Sequence, residues 1–163
     1  MQVRAVWFLE MKQSTAPTSL GIKVVTAIVL ILTAAFYVAA GYHRPLLAAA
    51  IILSVVVAIC FFFWTPVEYE FTGGELTVLF RIGRKRYGPV IKCSAVDTPL
   101  RAGIRLFGNG GVFAGSGIFW NRKYGVFRAY ITSTKPRDLV MVETPSTKIF
   151  ISPADPRAWV RES

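Results

Sequence analysis

The residues with the clearest chemical potential are five glycines between Gly108 and Gly117, in the stretch GNGGVFAGSGIFW. Such clusters often cradle phosphates, because backbone N–H groups can approach an anion where no side chain intervenes. A nucleotide-binding P-loop, however, needs the pattern GxxxxGK[ST] between a strand and a helix. Gly110 and Gly115 have the glycine spacing, but Ser116 replaces the lysine and a strand-like segment follows. We therefore predict that the glycines supply positive φ, bulges or close backbone approach.

Side chains that usually act as bases, nucleophiles or metal ligands are few and scattered. The single histidine, His43, lies between two apolar segments, far from Cys93 in the sequence. Without a nearby histidine, Cys93 or a serine lacks the usual general base. One histidine, Cys60 and Cys93 do not make a zinc site, and two such cysteines make no disulfide framework. We predict no enzyme, no catalytic residues, no cofactor and no metal; paired carboxylates assembled by the fold remain an open alternative.

Basic residues offer a binding surface instead, since the formal net charge of the 163 residues is +10. Each basic residue near an anionic lipid surface gains roughly 1 kcal/mol. Such residues crowd one turn, and a second turn pairs two of them with neighbouring aromatics; the charges could equally be solvated turn tips. Because the charge sits on separate turns, nucleic acid is not expected as a partner. The predicted membrane or lipid contact comprises Arg81, Arg84, Lys85, Arg86, Trp120, Arg122, Lys123 and Tyr124.

Two long apolar segments, 22–41 and 45–64, stand before the more polar part of the chain. A helix of about 20 residues is roughly 30 Å long, the thickness of a bilayer's hydrocarbon core. The only charge in either segment is Lys23, near the start of the first. The pattern predicts a two-helix transmembrane hairpin over 22–64, with a pair of buried core helices as the alternative.

Charge around these segments predicts an orientation. Basic residues lie before the first segment and after the second, whereas the short loop between them carries Arg44 alone. By the positive-inside tendency, both termini are expected in the cytoplasm. The predicted location is the cell's cytoplasmic membrane, as a multi-pass protein. The N-terminal tail, 1–21, could lie at the membrane interface or add a strand to the domain that follows.

Residues 66–163 read as one small β domain. Val67, Tyr69 and Phe71 alternate with polar residues, and the pair Gly73-Gly74 predicts a tight turn into the next strand. About seven such strands follow one another, with the basic stretch IGRKRYG interpreted as a turn. Asp155 followed by Pro156 is typical of a helix start, and Trp159 would face back onto the sheet.

The stretch LFGNGGVFAGSGIFWNRKYGVFRAYIT, then LVMVET and KIFISPADPRAWV, resembles the bacterial pleckstrin-homology (PH)-like membrane proteins. The resemblance implies a PH-like barrel closed by the final helix. Eukaryotic PH domains that bind phosphoinositides carry a basic motif around their first hairpin. Here that turn, Thr72 to Glu75, is not basic, so such headgroup specificity is not carried over.

The predicted fold is an α+β membrane protein in which a transmembrane hairpin precedes a mostly-β PH-like barrel with a C-terminal helix. The predicted function is that of a membrane-anchored, non-enzymatic adaptor that engages a protein partner at the cytoplasmic membrane face. The alternatives are an anionic-phospholipid-binding module and an accessory subunit of a membrane enzyme or transporter. Expected partners are therefore the lipid bilayer, anionic phospholipid headgroups, and a protein partner or second copy.

Overall fold

A computed structural model describes residues 11–39, 44–97, 100, 104–110 and 114–160. In this part of the chain ten strands and three α-helices follow one another, with a 3₁₀ turn at Pro136–Asp138. The helices are α1 (Leu20–Ala39), α2 (Arg44–Phe63) and α3 (Pro156–Trp159). The strands are β1 (Met11–Ser14), β2 (Pro66–Thr72), β3 (Glu75–Phe80), β4 (Arg84–Tyr87), β5 (Lys92–Ala95), β6 (Ile104–Gly110), β7 (Gly115–Asn121), β8 (Gly125–Ile131), β9 (Val140–Glu143) and β10 (Lys148–Ile151).

The strands form two sheets. The first has the order β1-β2-β3-β4, and the second has the order β5-β9-β10-β8-β7-β6. All neighbours pair antiparallel except β10 and β8, which run parallel. β4 and β6 each end their sheet in the described residues, so each presents an edge.

The main core lies between the two sheets. Strand alternation turns Tyr69 and Phe71 of β2 toward the second sheet, where they meet Ile149 and Ile151 of β10. The predicted turn at Gly73-Gly74 joins β2 to β3, and both glycines have positive φ, as a two-residue hairpin turn requires. Burial of this apolar face stabilises both sheets together.

A second core cluster covers the opposite face of the second sheet. Phe127, Ala129 and Ile131 of β8 alternate with Tyr130, which belongs to the first cluster. Phe127 packs edge-to-face on Phe150 of β10, with ring centroids 4.9 Å apart. The second sheet is therefore buried on both faces near β8 and β10.

The closing helix forms where the sequence predicts it. Asp155 caps α3 by accepting a hydrogen bond from the Arg157 backbone N–H at 3.1 Å, and Pro156 occupies the first turn. The helix is a single turn, and its one buried side chain is Trp159, which is 2 % exposed. Its ring packs edge-to-face on Tyr69 and Phe71. Trp159 thereby closes one end of the main core.

The number of strands was underestimated by the sequence pattern. The basic stretch interpreted as a turn contains β4, and β6 ends with the first three residues of the glycine-rich stretch. Neither shows an apolar alternation: β4 reads RKRY and β6 contains Gly108 and Gly110. Edge strands often carry charges or bulges, which discourage pairing with other chains and which hide them from a periodicity test.

The N-terminal segment adds a strand to the domain. β1 pairs antiparallel with β2 from Met11↔Phe71 to Ser14↔Glu68, and Lys12 forms a 3.2 Å ion pair with Glu68. A further bridge joins Thr15 to Pro153. Of the two arrangements left open for this tail, the described residues from Met11 onward adopt strand addition.

Helices α1 and α2 coincide in sequence with most of the two apolar segments. The Tyr37 hydroxyl of α1 donates a 2.8 Å hydrogen bond to the Ala50 carbonyl oxygen of α2. Many of their large apolar side chains are exposed, among them Ile31, Leu32 and Ile52. His43 lies outside the described residues.

Within the residues that the structure describes, no helix is both long enough and apolar enough to cross a bilayer. This finding contradicts the predicted transmembrane hairpin, the α+β membrane fold class and the multi-pass location in the cytoplasmic membrane. Crossing takes about 20 consecutive apolar residues. The described parts of α1 and α2 do not meet this requirement. The domain itself is mostly β, built from two sheets.

Candidate ligand-binding pocket

The neighbouring basic residues Arg84, Lys85 and Arg86 lie on two different sides of strand β4. In register, Lys85 lies opposite Val78 and Tyr87 opposite Leu76, whereas Arg84 and Arg86 lie opposite Leu79 and Thr77. Because cross-strand partners share a face, Lys85 and Tyr87 lie on the side of the fully buried Val78 and Leu76. Arg84 and Arg86 lie on the other side, and all three of these basic side chains are exposed.

Lys85 lines a pocket of about 190 Å³ between the first sheet and β6, β7 and β8. Its walls are largely apolar, with aromatic rings on several sides. Arg128 of β8 supplies a second positive charge. Besides these two cations, the lining includes Trp64, Phe80, Phe107, Ile118 and Tyr130.

Three aromatic rings surround the Lys85 ammonium group. Its nitrogen lies 5.5 Å from the ring centroid of Trp64, 5.7 Å from that of Tyr130 and 5.9 Å from that of Phe80. Contacts of this kind attract a cation by about 0.5–1 kcal/mol each at exposed sites. They hold the ammonium group at the pocket without neutralising its charge.

Arg128 is positioned by a pair of tyrosines. Its guanidinium donates a 3.4 Å hydrogen bond to the Tyr87 hydroxyl oxygen and lies 5.7 Å from that ring's centroid. The Tyr87 and Tyr130 hydroxyls hydrogen-bond to each other across the two sheets. Burial, followed by the hydrogen bond with Tyr130, raises the pKa of Tyr87 well above its usual value. Hydrogen bonding with Tyr130 and contacts with Tyr87 raise the pKa of Arg128.

Neither cation has an acidic partner in the described part of the chain. The ion pairs found there are Lys12 with Glu68 and Arg137 with Asp138, both away from the pocket. Two positive charges beside an apolar cavity with no carboxylate at hand favour an anionic ligand.

The other predicted contact residues lie elsewhere. Arg81, in the turn after β3, has its guanidinium carbon 4.1 Å from the ring centroid of Phe62 on α2. Arg122 and Lys123 are exposed in the turn between β7 and β8, where Asn121 accepts a 2.7 Å hydrogen bond from the Tyr124 backbone N–H. The predicted lipid contact at these residues stays a prediction.

The two predicted aromatic contacts face opposite sides of the second sheet. Tyr124 packs on Phe150, with centroids 5.1 Å apart, and belongs to the second core cluster. Trp120 lies on the other face and is 40 % exposed. Trp120 pairs in register with Ile104 of β6 and with Val126 of β8, and both of these side chains are also exposed.

Sequence reasoning missed Arg128 and Tyr130. The available signal was an arginine between Val126 and Tyr130 on one face of a strand-like segment, in GVFRAYI. A charge on an otherwise apolar face often indicates a partner or a ligand, but only the register of β8 against β7 and β10 shows that this face lines a cavity.

The opening glycines serve backbone geometry. Gly108 and Gly117 pair across β6 and β7 with φ of 106° and 151°. A Cβ added at Gly117 would lie 2.1 Å from the Phe107 carbonyl oxygen, and one at Gly108 would lie 2.3 Å from that of Ser116. This confirms the predicted positive φ and close backbone approach at these two positions.

Other groups with altered acidity lie in the core. Burial raises the pKa of the Tyr69 hydroxyl to about 12 and that of the Cys93 thiol to about 11. Among the described residues, no group of three or more histidines, cysteines and carboxylates could hold a metal ion.

Two packed sheets, closed at one end by a short helix, place the domain in the class of small two-sheet β domains, here with a cation-lined pocket. Residues 67–163 match the family described as Bacterial PH domain, and the chain belongs to that family. This confirms the resemblance drawn from the sequence. No match was found among curated proteins or solved structures. Domains of the PH-like type are generally binding modules without enzymatic activity.

Proposed function

We propose that this protein is a non-enzymatic adaptor that engages a partner protein through an exposed apolar face of its second sheet. The observation that carries this proposal is a row of side chains in register across β6, β7 and β8. Ile104, Trp120 and Val126 are 61 %, 40 % and 57 % exposed. Phe107, farther along β6, is 71 % exposed.

This row, the apolar face, differs from scattered surface hydrophobics because its members are cross-strand neighbours. Contiguous exposed apolar patches are typical of protein interaction sites, and aromatic side chains contribute a large share of interface energy. The four exposed side chains of this face belong to neither core cluster. A partner could therefore reach it without displacing the main core.

The experiment places a photo-crosslinking amino acid at Val126, within the apolar face, in the full-length chain inside bacterial cells. The matched control places it at Ile91, which is 65 % exposed but lies just before β5. We expect a discrete adduct with another protein from position 126 and not from position 91. Phe107→Ser with Trp120→Ser should abolish that adduct, since both remove buried apolar area at the contact.

Three results would contradict the adaptor proposal. One is the same adducts from both positions, which would indicate random encounter. Another is no adduct at either. A third is an adduct of twice the chain's mass alone, which would assign the face to a second copy of the chain.

A second candidate, anionic phospholipid headgroup binding, draws support from Arg84 and Arg86, which are exposed on one side of β4. It is tested by sedimentation of the full chain with neutral and with anionic vesicles across a salt series. Binding to anionic vesicles that weakens with salt and with Arg84→Ala plus Arg86→Ala would favour it. Equal sedimentation with neutral vesicles would count against it. The accessory-subunit alternative stays a prediction.

A further inference from the structure

The pocket between β4 and β8 offers more than the adaptor function requires, because its two cations lie beside aromatic walls and form no ion pair within the described residues. We propose that it binds a small organic oxyanion, a phosphate monoester or a carboxylate carried on an apolar body. The proposal goes beyond partner-protein binding, and Phe107 is the one side chain named for the apolar face that also lines this pocket.

The charges are supplied by opposite sheets, which makes the pocket a built feature of the tertiary structure. Lys85 comes from the edge of the first sheet and Arg128 from the interior of the second. Cation–π contacts hold the Lys85 ammonium group, and the Tyr87 hydroxyl accepts a hydrogen bond from Arg128. An oxyanion can bridge two such donors, since ammonium and guanidinium groups form strong charge-assisted hydrogen bonds with carboxylate and phosphate.

The remaining lining determines what must accompany the anion. Trp64, Phe80, Phe107 and Ile118 offer rings and methyl groups, so a bare inorganic ion would leave apolar surface uncovered. The cavity measures about 190 Å³, and a cavity of about 150 Å³ is known to admit benzene. A ring-sized body with one oxyanion group therefore fits the volume.

The test measures binding of phenyl phosphate, benzoate, inorganic phosphate and benzyl alcohol to the full-length chain by titration calorimetry. Phenyl phosphate or benzoate should bind about tenfold or more tightly than inorganic phosphate, because only they have the apolar body. Benzyl alcohol, which keeps the ring and lacks the charge, should bind at least about tenfold more weakly than the aromatic anions.

Variants then assign the site. Lys85→Gln and Arg128→Gln should each weaken binding of the aromatic anion by about tenfold, the loss expected when one charged donor is removed. The matched control is Arg86→Gln, one residue along β4 on the opposite side, which should leave the affinity unchanged. Lys85→Arg, which keeps the charge, should restore much of the affinity, and circular dichroism checks that each variant is folded.

Dodecyl phosphate below its micelle concentration separates the sources of the anion. Tighter binding than phenyl phosphate would indicate a lipid phosphate, and weaker binding would indicate a small soluble one; both support the oxyanion site. The proposal is overturned if no aromatic anion binds at millimolar concentration. It is equally overturned if benzyl alcohol binds as well as the anions, or if Arg86→Gln weakens binding as much as Lys85→Gln does.

Discussion

The Tyr69 hydroxyl on β2 donates a 2.6 Å hydrogen bond to the Tyr130 carbonyl oxygen on β8, directly joining the two sheets. The same hydroxyl oxygen accepts a 3.3 Å hydrogen bond from the Ser152 backbone N–H. Tyr69 is fully buried, so water cannot replace either partner. The two sheets are thus fastened by a polar contact inside an otherwise apolar core.

Removing this hydroxyl should destabilise the fold without disturbing its packing. Tyr69→Phe leaves a buried carbonyl oxygen and a buried N–H without their partner, which costs about 1–3 kcal/mol of the free energy of unfolding. Urea unfolding measures the loss. Tyr124→Phe, in the half-buried ring of the other cluster, should cost about 0.5 kcal/mol or less. Equal losses in both variants would contradict a specific role for the bond between sheets.

The same residue predicts a dependence of stability on alkaline pH. Burial raises the pKa of Tyr69 in the folded chain to about 12, above the ordinary value of 10. The folded state therefore keeps its proton longer than the unfolded state. The stabilisation is complete below pH 10 and is lost as the pH rises toward 12. Between these limits, the free energy of unfolding of the native chain should fall more steeply than that of Tyr69→Phe; parallel curves would contradict this.

The close pairing of β6 with β7 predicts a contrast between two glycines. Gly117→Ala forces a Cβ against the Phe107 carbonyl oxygen in a backbone conformation that alanine disfavours, and should cost about 3 kcal/mol or more. Gly125→Ala, at φ of 71° with open space around it, meets only the backbone penalty of about 1–2 kcal/mol. Thermal unfolding of both variants tests this, and a larger loss at Gly125 would contradict it.

Truncation of two tryptophans should lower the free energy of unfolding by very different amounts. Trp159→Ala removes a ring that is 2 % exposed and packs on Tyr69 and Phe71, and should cost about 3–5 kcal/mol. Trp120→Ala, at a ring 40 % exposed, should cost about 1 kcal/mol and leave the domain folded. Denaturant unfolding of the two variants tests the ranking. Similar losses would show that α3 does not close the core.

The two cysteines should react at different rates. Cys60 is exposed on α2, whereas Cys93 is buried on β5, where desolvation raises its pKa to about 11. Alkylation requires the thiolate, so near neutral pH iodoacetamide should modify Cys60 first and Cys93 only after urea is added. Mass spectrometry of peptides measures both, and a Cys60→Ser chain isolates the slower site. Prompt modification of Cys93 in the folded chain would contradict its burial.

Short sequence patterns predicted correctly those turns, strands and caps that depend on a few neighbouring residues. The turn at Gly73-Gly74, the alternation of Tyr69 and Phe71, and the cap formed by Asp155 depend on a few consecutive positions. The prediction of a transmembrane hairpin was wrong, because none of the described helices is both long enough and apolar enough to cross a bilayer. That prediction was based only on the apolar composition and the length of the two segments. Neither property determines how a helix packs.

Of the two cations at the candidate site, the sequence analysis predicted one as a contact residue and missed the other. Lys85 was predicted as a contact together with the neighbouring basic residues, but nothing local separated it from Arg84 and Arg86. Arg128 looked like an ordinary charge in a strand. Which of them line one pocket depends on the pairing of β4 with β3 and on the packing of one sheet against the other.

The sequence by itself determined the β character of the domain, its first hairpin, its closing helix and its membership of the bacterial PH domain family. These features follow from short-range alternation, turn chemistry and the order of motifs. Only the tertiary structure decided that β1 joins β2, that β8 runs parallel to β10, and that Lys85 and Arg128 meet at one pocket. Such relationships join residues far apart in the chain, and they depend on register and sheet packing, which no local pattern specifies.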